Sequence, residues 1–91
     1  MKRIEIIFNQ SLEEDVLLAL KPFPEAQFFT MIPGVHGQGY STPKQGDAIW
    51  PEENSLMIIY CNSDEAANNI QKAIEKVQEV YKEEGIAFFM M

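Results

Sequence analysis

NSLMIIYCNSDEAANNIQKAIEKVQEVYKEEGIAFFMM, residues 54–91, is the stretch whose reading decides the fold. Asn54–Cys61 is apolar at nearly every position, the pattern of a strand covered on both faces and central in its sheet. Ser63 and Asp64 are cap candidates for a helix that follows. Within it Ala66, Ile70, Ala73, Ile74, Val77 and Val80 or Tyr81 recur at three- and four-residue steps as far as Glu84. Gly85 stands where a left-handed C-cap would end that helix, and Ile86 to Met91 reads as another strand.

The half before it repeats the order. Lys2 to Asn9 alternates as a strand, with Ile4, Ile6 and Phe8 on one face and Arg3, Glu5 and Ile7 on the other. Ser11, with Glu14 three residues on, has the form of a capping box. A short helix follows, with Leu12, Val16, Leu17 and Leu20 on one stripe; Pro22 and Pro24 stop it after Lys21. Ala26 to Pro33 reads as a second strand. The order β-α-β-β-α-β predicts an α+β fold, the ferredoxin-like sandwich, with a four-stranded antiparallel sheet and two helices on one face. Ninety-one residues make a single domain, 1–91.

Two helices cover one sheet face, yet both faces read apolar. One set is Ile4, Ile6, Phe8, Phe28, Ile32, Leu56, Ile58, Tyr60, Ile86 and Phe88; the other is Ile7, Phe29, Met31, Met57, Ile59, Cys61, Phe89 and Met91. A face of that kind exceeds what monomers leave in water. The chain holds no third helix to cover it, so oligomerisation through the sheet is expected, with Ile59 in the interface.

Composition narrows the function. Fourteen acidic against seven basic residues give a formal charge of −7, which argues against nucleic acid and anionic membranes as partners. No apolar run approaches a bilayer span, and Glu5 interrupts the first one as no signal peptide would. The single Cys61 fits a reducing compartment, so a cytoplasmic protein is expected.

Between the halves lies a polar connection, 34–53. It opens with Gly34, His36, Gly37, Gln38 and Gly39, and carries Lys44 as its sole cation and Trp50 as its one large aromatic. Three glycines let the backbone turn its N–H groups toward an anion, though no phosphate-loop spacing is present. His36, with Asp47 and Glu52 on the return arm, makes a divalent-metal site the alternative reading. No serine, histidine and aspartate stand in catalytic context, and the carboxylate pairs read as solvated, so no enzyme activity is expected. Ser41 to Asp47 would be the loop's flexible tip, and Trp50 would dock on a neighbouring subunit.

The element order and the glycine run Gly34 to Gly39 resemble the P-II-like superfamily of trimeric signalling proteins, whose sheets face one another about a threefold axis. The resemblance implies a homotrimer with ligand clefts between subunits. Gly34, Gly37, Gln38 and Gly39 would form the base of an effector loop, and Tyr40 to Trp50 its body. Nucleotide-binding members carry a phosphate loop of glycine and lysine before the last strand, where this chain has Glu83-Glu84-Gly85. Tight ATP binding is therefore not expected. The sequence looks like a reduced P-II-like protein that regulates a membrane transporter or another protein target. The CutA-type metal-tolerance proteins share the trimeric fold, which supports the metal alternative.

Overall fold

The computed structural model describes residues 1–36 and 53–91. The element order is β1 (Lys2–Asn9), a 3-10 turn (Gln10–Leu12), α1 (Glu13–Leu20), a second 3-10 turn (Pro24–Gln27), β2 (Phe29–Val35), β3 (Asn54–Cys61), α2 (Asp64–Val80) and β4 (Ala87–Met90). The strands form one sheet in the order β2-β3-β1-β4, and every neighbouring pair is antiparallel. This is the ferredoxin-like sandwich, with β1 and β3 in the middle.

Side chains directly opposite in a ladder share a face, so the register assigns them. Ile4 pairs with Ile59 and Met90, Ile6 with Met57 and Phe88, and Phe8 with Ser55. Together with Cys61 these make the face under the helices. Ile4, Ile6, Phe8, Met57 and Ile59 are wholly buried there against Leu12, Val16, Leu20, Ala67, Ile70 and Ile74. The other face holds Arg3 with Tyr60, Glu5 with Ile58 and Phe89, and Ile7 with Leu56 and Ala87.

This corrects the sequence assignment of the two apolar sets. Leu56, Ile58 and Tyr60 lie on the open face, and Met57, Ile59 and Cys61 lie in the core. β2 follows its partner: Phe29 and Met31 pair with Ile59 and Met57, while Ile32 pairs with Leu56. The β2–β3 hairpin is thus one residue out of phase as a unit, and a one-residue slip inverts every side chain of a strand. The physical reason is that β3 is apolar on both sides and fixes no phase by itself. Alternation in β1 does fix one, because Arg3 and Glu5 interrupt its outer face.

The helix ends differ from the sequence reading too. Asn9, not Ser11, caps the first turn, its Oδ1 accepting from the Ser11 N–H at 2.8 Å. α1 has no side-chain N-cap of its own, but Glu13, Glu14 and Asp15 in its first turn complement the helix dipole. Ser63 does cap α2, accepting from the Ala66 N–H at 3.1 Å. α2 stops at Val80, short of Glu84. Gly85 is no left-handed cap; among the described residues only Gly34 has a positive φ.

Candidate functional site

The base of the long connection is built on an edge strand. From Ile32 to Val35, β2 takes three steps while its partner takes two, from Leu56 to Asn54, so one extra residue bulges out. Pro33 and Gly34 supply that irregularity. Proline has no N–H to offer a ladder and is tolerated at an edge bulge. Gly34 holds φ +71°, a region that costs other residues about 1–2 kcal/mol. A Cβ there would meet the Glu53 carboxylate at 3.4 Å, an ordinary contact, so the backbone angle is what selects glycine. The bulge turns the chain out of the sheet at His36, which is exposed.

The return arm is held by the corner between β1 and α1. The Gln10 N–H donates to the Glu53 carbonyl at 2.9 Å, one residue beyond the Asn9–Asn54 pair. Ser55, wholly buried, donates its hydroxyl to the Glu13 Oε1 at 2.5 Å. These bonds fix where 53–55 leaves the connection relative to the first turn of α1. Reading the sequence for motifs missed this corner. Its one signal was a polar residue, Ser55, at an inward position of an apolar strand, with the polar Asn9 closing the other.

The turn between α2 and β4 lies at the same end of the sheet, because Ala87 pairs with Ile7 just as Asn54 pairs with Asn9. The Gln78 amide organises it. Its Nε2 donates to the carbonyls of Tyr81 and Glu84, and its Oε1 accepts from the Ile86 N–H at 2.9 Å. A shallow groove of about 400 Å³ opens there, bordered by Glu79, Lys82, Glu83, Glu84 and Gly85. Three carboxylates to one ammonium make it a poor place for a polyphosphate.

Of the expected site residues, Gly34 and His36 stand together at the loop base. Gly37, Gln38, Gly39, Lys44 and Trp50, and with them Asp47 and Glu52 of the metal reading, lie outside the described residues, as does the Ser41–Asp47 tip. No three His, Cys, Asp or Glu side chains gather as metal ligands among the described residues. Cys61 sits at the other end of the sheet, paired with Lys2. It is buried, and that burial, with the Glu25 charge next, raises its thiol above the ordinary range. No described helix is long and apolar enough to cross a membrane.

The fold has counterparts among known proteins. The family described as nitrogen regulatory protein P-II matches residues 1–91. Among solved structures, CPII from Thiomonas intermedia bound to ADP and bicarbonate is 16% identical, with a TM-score of 0.71 over 99% of this chain and 82% of that one. A PII-like signalling protein from Thermus thermophilus is 20% identical, with a TM-score of 0.69 over 99% and 83%. The apo form of the Thiomonas protein, at 14% identity, gives 0.64 over 99% and 87%. No curated protein matches the sequence.

Proposed function

The chain belongs to the nitrogen regulatory protein P-II family, a family of signalling proteins, and on that premise we propose that it is a homotrimeric sensor. It binds a small ligand in the clefts between subunits and signals through the 34–53 connection to a protein target, a membrane transporter being the class the reading favours. The carrying observation is the coincidence at one end of the sheet of the Gly34 bulge, the Gln10–Glu53 tie and the Gln78-braced turn. An effector segment needs such an anchored base, so that ligand contacts at the base bias the whole segment. The apolar open face supports the assembly: Tyr60, Ile32, Phe89 and Met91 are all exposed on it in the single chain.

The ligand follows from charge. CPII binds ADP and bicarbonate, and a second complex holds ADP, AMP and bicarbonate. Glu79, Glu83 and Glu84 beside the α2–β4 turn disfavour a triphosphate here, so the ligand we assign is a nucleotide of fewer phosphates or a small anion. Calorimetry with AMP, ADP, ATP and bicarbonate, beside light scattering for the trimer, tests both halves. AMP or bicarbonate should bind at least as tightly as ATP, and His36→Ala or Gln38→Ala should weaken binding without changing the mass. A monomer, or tight ATP binding with magnesium, overturns the reading; stabilisation by divalent ions alone returns the metal alternative.

A further inference from the structure

The helical layer carries a second concavity, on the opposite side of the molecule from the open sheet face. Between α1 and α2 runs a groove of about 570 Å³, within the range of small-molecule sites. Its apolar lining comes from Ala19 and Phe23 on one side and from Ala73, Val77 and Val80 on the other. Alanines at 19 and 73 leave the space that larger residues would have filled. Val80 is 73% exposed, an apolar side chain left in water at the groove's end.

The charges around this lining are arranged unevenly. Lys72 and Lys76 border it one helical turn apart, where like charges repel. Neither makes an ion pair among the described residues; the ion pairs there join Lys2 to Asp64 and Arg3 to Glu5. Asp15 is the one carboxylate among the described residues that line the groove, and it is engaged: the Tyr81 hydroxyl donates to its Oδ1 at 3.0 Å, which ties the end of α2 to α1. So an acidic chain of net charge −7 places two ammonium groups, without an ion pair among the described residues, beside an apolar trough.

We propose that this groove binds a small amphipathic anion, a carboxylate head carrying an apolar body. The head lies on Lys72 and Lys76 and relieves their repulsion. The body lies over Ala73, Val77 and Phe23. The Asp15–Tyr81 bond closes the far end against a second negative group. Assembly through the open sheet face leaves the helices outward, so the groove stays accessible in an oligomer. The site is separate from the loop base, and its fate does not depend on that of the sensor reading.

Octanoate and 1-octanol, which share an apolar body and differ in charge, are the probes. Titrated into the full chain and followed by amide NMR, octanoate should shift resonances across 69–81 and leave Ile58 and Phe89 unmoved. Lys72→Glu/Lys76→Glu should weaken it at least about tenfold, roughly 1.4 kcal/mol, with the unfolding midpoint unchanged. As a second measure on the unaltered protein, raising salt should weaken octanoate and spare octanol. The proposal is overturned if octanol binds as well as octanoate, if neither binds, if salt leaves octanoate unaffected, or if the shifts map to the open sheet face.

Discussion

The two faces of the sheet are built from similar residues and meet opposite fates. Under the helices, Ile4, Ile6, Phe8, Met57 and Ile59 reach zero exposure within one chain. On the other side Ile32, Tyr60, Phe89 and Met91 remain 43–59% exposed. The open face differs in one further way: it carries a polar cluster. Arg3 donates from Nε to Glu5 at 2.8 Å and from a terminal nitrogen to the Tyr60 hydroxyl at 2.9 Å. Among the described residues the register gives the covered face two polar side chains, Ser55 near the loop-base corner and Lys2 at the opposite end beside Cys61. The difference teaches that apolarity tells which residues want cover, while the cover available decides which of them one chain can satisfy.

Adjacent residues of β3 give the sharpest way to break this contrast. Ile59→Asp buries a carboxylate with no partner and should cost about 5 kcal/mol, enough to abolish the fold. Ile58→Asp points to the other face and should leave a folded chain that no longer assembles. Circular dichroism with light scattering separates the two. If Ile58→Asp unfolds the chain and Ile59→Asp does not, the register of the β2–β3 hairpin is inverted.

Truncation sharpens the same contrast more gently. Met57→Ala should lose about 2–5 kcal/mol in urea denaturation, as core truncations do. Leu56→Ala, half-buried on the open face, should lose far less from the single chain and show itself mainly as weaker association. Equal losses at the two positions would mean that the faces do not differ in cover.

These pairs mark what was legible in the sequence. The order of elements was, because strand and helix periods differ and Ser63, Pro22 and Pro24 punctuate them. The phase of β1 was, because charges alternate with isoleucines. The phase of the hairpin was not: LMIIY offers no polar residue to mark an outward side, and only pairing with β1 supplies one. The site was half legible. Gly34 stood out as a glycine, but Gln78 acts through its side-chain amide on the backbone of the turn that follows it, and Gln10 through its N–H on Glu53 far along the chain, and no residue pattern announces either. The groove between the helices depends on how far α1 stands from α2, which periodicity cannot give.

A smaller effect comes from pH. Burial on the covered face raises the Cys61 thiol, so the folded chain keeps its proton where the unfolded chain releases it. Stability is therefore full below about pH 8.5 and falls as pH rises above it, by at most about 1.4 kcal/mol per pH unit. Cys61→Ala should flatten the urea midpoint between about pH 8.5 and 9.5. Tyr81, raised by its hydrogen bond to Asp15, adds its own decline only above about pH 10, which keeps the two apart. A midpoint that falls equally in the alanine variant would remove Cys61 as the cause.

The smallest expected effect is also the one that reads the open face most directly. Tyr60→Phe deletes the hydroxyl that accepts from Arg3 and keeps the ring, over which the guanidinium stands 5.6 Å from the centroid. In a single chain the freed N–H turns to water, because Tyr60 is 51% exposed and Arg3 is only half-buried. The loss there should stay under about 1 kcal/mol, as for other exposed charged contacts. In an assembly that covers this face, water is excluded and the freed donor stays unsatisfied, at a cost of about 1–3 kcal/mol or more for a charged group. The test is therefore a difference: urea denaturation of the dissociated Ile58→Asp chain with and without Tyr60→Phe, against the change in association constant that Tyr60→Phe causes in the otherwise unaltered protein. A clear excess in association places Arg3 inside the interface. No excess places Arg3 and Tyr60 at its rim and moves the buried centre toward Ile7, Ile32 and Leu56.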